Sequence, residues 1–145
     1  MNKIISKNPA VKFDFNIEKT LEVGVELRGW EVKSLRMYGV SLKNTYCNIS
    51  GGECWWRESS LKDPIGQQES KRNRKILMKK NQIYKWYGDM TKNHFTIIPL
   101  ECYFKNGRYF KILVGLCSKS KHFDKREKIK QKDILKNLRQ VNYLD

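Results

Sequence analysis

The sequence is poor in the residues from which most catalytic and metal sites are made. Its two histidines, His94 and His122, have no Cys, Ser or carboxylate at a recognisable triad or metal-ligand spacing. The four cysteines, Cys47, Cys54, Cys102 and Cys117, include no CxxC pair and no companion histidine, which argues against zinc. All four sit in apolar, strand-like surroundings and read as reduced, buried thiols. Long apolar runs are missing too: segments such as Ile97-Ile98-Pro99-Leu100 are far too short to span a bilayer, and the basic N-terminus lacks the apolar stretch of a signal peptide. The expectation is a soluble, cytoplasmic protein with no membrane partner. Acidic residues are scarce, 15 against 30 Lys and Arg. The pair Asp124 and Glu127, flanked by Lys125, Arg126 and Lys128, reads as ion-paired rather than as a general acid and base. No enzymatic activity, metal or cofactor is expected.

What is present is charge of one sign on a chain able to fold. The 145 residues make one ordinary domain. With 39% hydrophobic and 12% aromatic residues the chain can bury a core. A net charge of +15 repels itself in a monomer unless a polyanion is the usual partner, and its concentration in two segments exceeds what solubility requires. RNA binding is the class this predicts.

Along the chain, Met1 to Ala10 is polar and basic and reads as a flexible arm. Phe13, Phe15 and Ile17 alternate with polar residues, and Leu21, Val23, Val25 and Leu27 continue the alternation, predicting an early antiparallel pair or one bent strand. Trp30 to Met37 fits a short helix stopped by Gly39. Leu42 to Ile49 and Cys54 to Arg57 flank Ser50-Gly51-Gly52-Glu53 as a hairpin, with the Trp55 and Trp56 rings on opposite faces; its register is open, and one choice sets Cys47 across from Cys54. Ser59 to Ser70 is a loop by composition. Ile76, Leu77, Ile83, Tyr84 and Tyr87 fall on one stripe, predicting an amphipathic helix over Lys71 to Tyr87 in a stretch where Glu69 to Lys92 carries a balance of +6. Phe95 to Phe104 and Tyr109 to Cys117 form a hairpin about Asn106-Gly107; a two-residue loop sets Cys102 opposite Lys111 and disfavours a disulfide to Cys117. Residues 121–145 hold Ile134, Leu138 and Val141 at helical spacing among many lysines, and read as a tail that orders on contact with a polyanion. The fold class expected is mainly β with helices: a small antiparallel barrel of oligonucleotide-binding (OB) type over residues 1–120, followed by the basic tail over 121–145.

Four blocks carry a resemblance to a known family. Leu27-Arg28-Gly29-Trp30-Glu31-Val32-Lys33-Ser34-Leu35-Arg36 resembles the LxGWEVKSLR signature of the SsrA-binding proteins, the SmpB family. Arg72 to Met78 is similar to that family's RTRKLLL, Pro99 to Arg108 to PLxLYFKNGR, and Asp124 to Lys130 to the DKRxxIK motif that opens the tail. The resemblance spans residues 8 to about 133. Departures are local: Pro9-Ala10-Val11-Lys12-Phe13 replaces a basic RKARH run, and Cys117-Ser118-Lys119-Ser120-Lys121 replaces AKGKK.

The resemblance implies a non-enzymatic RNA-binding barrel that grips the tRNA-like domain of transfer-messenger RNA. It also implies a tail that enters the empty mRNA channel of a stalled ribosome, so that translation switches to the RNA's own reading frame. The residues it places on the RNA are Asn8, Glu22 and Leu77, with Lys33, Arg36, Arg72, Arg74 and Lys75 as cations beside them. Asp124, Lys125, Arg126, Lys128 and Lys130 would meet the ribosome. The implied partners are transfer-messenger RNA and ribosomal RNA, with the protein a monomer. The residues alone also fit a general basic RNA-binding or ribosome-associated protein of the same fold.

Overall fold

A computed structural model describes residues 3–63 and 69–120. In these residues the elements run β1 (Lys3–Lys7), α1 (Ala10–Asp14), β2 (Phe15–Val25), α2 (Gly29–Tyr38), β3 (Tyr46–Ser50), β4 (Glu53–Arg57), β5 (Leu61–Lys62), β6 (Glu69–Ser70), β7 (Arg74–Leu77), α3 (Lys80–Asn93), β8 (Thr96–Lys105) and β9 (Tyr109–Lys119). The main pairings are all antiparallel and run in a closed cycle: β8 to β3, β4, β7, β2, β9 and back to β8. Closure removes the open edges that a sheet of this size would otherwise present. β1 adds outside the cycle, pairing with β8 through Lys3 to Lys7.

The ring closes around the alternate residues of its strands. On β9, Phe110, Ile112, Val114 and Leu116 point inward, while Tyr109 is exposed and Lys111 and Leu113 are half-buried. Val23 and Val25, Cys54 and Trp56, Ile97, Cys102 and Phe104 supply the other walls. Trp56 stacks on Phe110 at 6.2 Å, and Phe104 meets the same ring edge-on at 5.6 Å, contacts worth about 0.5–1.5 kcal/mol beyond their burial. Leu35 of α2 and Trp86 of α3 pack against this core. α2 starts with a reciprocal cap in which the Glu31 carboxylate accepts the Arg28 N–H at 2.7 Å, and stops at Gly39, whose φ of 70° suits a residue without a side chain.

Several expectations hold. The early alternation is one long strand, β2, with an irregularity between Ile17 and Lys19 where it bends. α2 lies where the spacing placed it, the β3–β4 turn is at Gly51-Gly52, and Trp55 and Trp56 face opposite ways, the first half-buried and the second enclosed. All four cysteines are free and buried.

Others are corrected. Residues 3–7 are a strand rather than a flexible arm, because β8 outruns its other partner β3 and leaves an edge for Lys3–Lys7 to pair with. Phe13 belongs to the short α1, not to the strand that follows. The amphipathic helix does not begin at Lys71. Arg74 to Leu77 alternate buried, half-buried, buried and exposed, and Ile76 pairs on one side with Cys54 and on the other with Val25, so two sheet neighbours claim this segment. The helix starts at Lys80 and buries Ile83 and Trp86; the single stripe read from Ile76 to Tyr87 joined two elements of different period. The loop Ser59 to Ser70 contains a small ladder, β5–β6. In the last hairpin Asn106 and Gly107 take φ of 53° and 71° as expected, but Arg108 stays outside the ladder, so Cys102 faces Ile112 rather than Lys111. The irregularity between Pro99 and Glu101 restores the expected register beyond it, with Pro99 opposite Val114. In the β3–β4 hairpin Cys47 lies opposite Trp56 and Cys54 opposite Ile49. The tail over 121–145 lies outside the described residues.

Candidate nucleic-acid interface

Side chains that point out of the ring on four neighbouring strands form one surface. Register places Tyr103, Lys111, Gly24 and Leu77 in a row across β8, β9, β2 and β7, with Glu101, Leu113 and Glu22 in the next row. Lys105 and Tyr109 continue it toward the hairpin end. Leu77 is 54% exposed although it is a large apolar residue in a strand. A Cβ on Gly24 would lie 3.3 Å from Leu77 Cδ1 and 3.5 Å from Lys111 Nζ, so Leu77 rests on bare backbone with a lysine at its side. An apolar floor bordered by a cation suits a base and its phosphate better than it suits a protein core. A shallow cavity of about 280 Å³ opens here, lined among others by Leu77, Lys111, Tyr109 and Val32.

Glu22 is an acid between two lysines of this face, and its partners explain it. Its carboxylate accepts from Lys105 Nζ at 2.8 Å and from the Tyr103 hydroxyl. The Lys105 hydrogen bond, then that of Tyr103, holds the Glu22 carboxyl below the usual range, while burial and the same carboxylate push the Tyr103 phenol up. At neutral pH Glu22 is therefore an anion that fixes a lysine and a tyrosine in place, and across the face Lys105 and Lys111 balance Glu22 and Glu101, with Lys7 and Lys12 adding positive charge in the groove beside it.

The groove of about 300 Å³ beside this surface is lined by Lys7, Asn8, Lys12, Thr20, Glu101 and Leu113 among others. Leu113 and Glu101 pair with each other, and Leu113 also pairs with Glu22. Asn8, Glu22 and Leu77, which are distant in sequence, thus lie along one continuous side of the ring. The Asn8 amide donates to Pro99 O at 3.1 Å and Leu42 O at 3.4 Å, tying the segment after β1 to two parts of the fold.

The expected cations divide into two groups. Lys33 is exposed on α2, and Lys75 is half-buried with its ammonium 2.8 Å from Glu53. Arg36 lies 4.2 Å over the Phe104 ring and donates to Gly107 O at 3.2 Å and Arg108 O at 3.4 Å, so it clasps the β8–β9 turn. Arg74 is the correction. It is wholly enclosed, donating to Glu31 Oε2 at 2.6 Å, Ser59 Oγ at 2.8 Å and three backbone carbonyls, so it is a core cation and not an RNA-facing one. The even positions of β7 face inward, which decides this. Arg72 shares the Glu31 carboxylate, at 3.0 Å through Nε and with a second contact through its terminal nitrogen, and stays 28% exposed. Asp124, Lys125, Arg126, Lys128 and Lys130 lie outside the described residues.

Tyr103, Lys105, Tyr109 and Lys111 were not singled out from the sequence. Alternation puts Tyr103 with Lys105 and Tyr109 with Lys111, but only the loop that takes in Arg108 brings the two pairs onto one face; the two-residue loop expected from Asn106-Gly107 would have set Lys111 with Cys102. Among the described residues no helix is long and apolar enough to cross a membrane.

Fold and surface together define a class: a small cationic β-ring whose outer face joins lysines, tyrosines and an exposed leucine. Comparison with known proteins makes the class specific. The model of the family described as SmpB protein matches residues 5–143, and the chain belongs to that family. It is 39% identical to the SsrA-binding protein of Mycoplasmopsis synoviae over 96% of this chain and 97% of that one. It is 35% identical to the SsrA-binding protein of Treponema denticola, covering 94% of this chain and 90% of that one. Among solved structures it is similar to a chain described under "tmRNA-SmpB: a journey to the center of the bacterial ribosome", with a TM-score of 0.57, 27% identity and 83% of each chain covered.

Proposed function

We propose that this protein binds the tRNA-like domain of transfer-messenger RNA and carries it to stalled ribosomes for trans-translation, without catalysing a reaction itself. The observation that carries the reading is the outer face on which Asn8, Glu22 and Leu77 lie together, in a chain of this family. Names of relatives and of the similar structure support the same partners, transfer-messenger RNA and the ribosome. A folded RNA is recognised by shape, phosphate contacts and stacking, which a sheet face with lysines beside aromatic and apolar positions, bordered by a groove with Lys7 and Lys12, offers. Residues 1–120 form the RNA-binding body, and residues 121–145 form the tail that meets the ribosome through Asp124, Lys125, Arg126, Lys128 and Lys130. The working location is the cytoplasm, where ribosomes are.

The test is a titration against the tRNA-like domain at physiological salt with excess ordinary tRNA as competitor, because purely charge-driven binding weakens steeply there. Retention of a tight complex is the expected result. Loss to any tRNA overturns the specific reading and leaves a general basic RNA-binding protein. Truncation after Ser120 should keep the complex and abolish tagging of a stalled peptide; full tagging by the truncated chain would remove the tail from the mechanism.

A further inference from the structure

The helix α3 carries two stripes, and the RNA face described above uses neither. Ile83 and Trp86 are buried against the body, while Lys80, Tyr84 and Tyr87 follow one another at helical spacing along the flank beside Ile83. Tyr84 is 82% exposed and Tyr87 51%, a large aromatic area to leave open on a helix that packs well enough to hide its other stripe. These rings form one wall of a groove of about 720 Å³ whose other wall is the β3–β4 turn, Ser50-Gly51-Gly52-Glu53. Gly51 and Gly52 sit at φ of 63° and 77° with open space where a Cβ would stand, so that wall is low, bare backbone.

We infer that this groove is a second RNA contact, taking an unstacked nucleotide whose base stacks on Tyr84 and Tyr87 and whose phosphate meets Lys80. The inference rests on the reading of the protein as an RNA binder and extends its footprint. Charge selects the occupant. The acid in the groove, Glu53, is neutralised by Lys75 at 2.8 Å, which among the described residues leaves Lys80 and neighbouring Lys79 to set the charge along the rim. Continuity selects it as well. An adjoining groove of about 350 Å³ shares Gly52, Glu53, Lys80 and Ile83 with the first and reaches Leu77 on the RNA face, passing Lys75 and Lys79. A strand leaving the Leu77 surface therefore follows lysines to the two tyrosines. Aromatic rings interleaved with lysines along a track are the arrangement that binds single-stranded nucleic acid irrespective of sequence, since every base has a stacking face.

The experiment uses the full chain and two probes, a short fluorescein-labelled oligouridine and the tRNA-like domain. Tyr84→Ala with Tyr87→Ala should weaken oligouridine binding about tenfold or more, while Tyr84→Phe with Tyr87→Phe should stay within about twofold because stacking survives. Lys80→Ala should lower the salt dependence of binding by about one phosphate. Unchanged thermal unfolding of the alanine variant shows that the loss is local, as expected for exposed rings. The oligouridine arm reads the groove even where the protein fails to prefer the tRNA-like domain over tRNA, an outcome that overturns only the proposed function. The inference is overturned by an alanine variant that binds oligouridine as the wild type does, or by phenylalanine variants as weak as alanine. Concentration-dependent self-association that vanishes with Tyr84→Ala and Tyr87→Ala would overturn it too, by showing that a second copy of the chain fills the groove.

Discussion

Glu31→Gln is the substitution that probes the fold most directly. Glu31 is fully buried, and its carboxylate takes Arg74 Nε at 2.6 Å, Arg72 Nε at 3.0 Å and the Arg28 N–H at 2.7 Å. Burial pushes the carboxyl up, but the hydrogen bonds from Arg72, the Arg28 backbone and Arg74 outweigh it and hold Glu31 below the usual range. Removing one member of a buried ion pair costs about 3–5 kcal/mol, because the remaining charge is left uncompensated. Arg74 keeps its bonds to Ser59, Arg72 and Ser70, which moves the expected loss toward about 3 kcal/mol, and the helix cap survives because the glutamine carbonyl can still accept the Arg28 N–H. For a body of this size that loss lowers Tm by about 10–15 °C. Urea titration and thermal circular dichroism read it directly. Glu31→Gln combined with Arg74→Met should recover part of the loss, since Arg74 is then no longer a buried charge without its carboxylate. The sign with pH follows from the lowered pKa. Glu31 contributes its stability above its unfolded value of about 4.3 and loses it as pH falls through the folded one, so the gap between wild type and Glu31→Gln should close below about pH 4. A variant within about 1 kcal/mol of wild type at pH 7 would refute the argument.

Leu77→Asp should leave Tm within about 2 °C, because the side chain is exposed, yet weaken binding to the tRNA-like domain by at least tenfold in a filter-binding titration; equal affinity removes Leu77 from the interface. Arg36→Lys loses the planar group over Phe104 and one of two carbonyl contacts at the β8–β9 turn, and should cost about 1 kcal/mol by urea titration. The thiols should be silent toward Ellman's reagent in the folded protein and all four should react in denaturant, since Cys47, Cys54, Cys102 and Cys117 are buried and burial pushes Cys102 up to about 12 and Cys117 to about 11.

Sequence legibility followed range. Features set by neighbours in the chain were readable: the stop at Gly39, the turns at Gly51-Gly52 and Asn106-Gly107, the opposite facing of Trp55 and Trp56. What depended on distant partners was not. Arg72, Arg74 and Lys75 look alike in a basic run, and only the pairing of β7 with β2 and β4 makes Arg74 an inward residue whose carboxylate partner is 43 positions away. The same pairing turned Ile76 and Leu77 from a helical stripe into a strand. Asn8 read as part of a flexible arm, whereas its amide bridges Leu42 and Pro99, and no local pattern encodes that. The resemblance supplied Asn8, Glu22 and Leu77 as a set, and the ring's register shows how three such distant residues come to lie on one side.

β7 shows how stability and RNA recognition are joined yet separable. Its four residues send Arg74 and Ile76 into the core and leave Lys75 and Leu77 outward, so the strand that completes the ring between β2 and β4 also carries part of the proposed RNA face. Substituting Arg74 would displace the backbone under Leu77 and weaken RNA binding without Arg74 touching RNA. The two routes differ in their signature. Removing a lysine that meets phosphate at the surface lowers the salt slope of binding by about one and leaves unfolding unchanged. A displaced strand lowers Tm, keeps the salt slope, and reduces affinity only as far as the folded population and the position of Leu77 are altered. Arg74→Met should show the second pattern and Lys111→Met the first; the opposite assignment would mean that β7 is turned over, with Leu77 inside and Arg74 on the RNA.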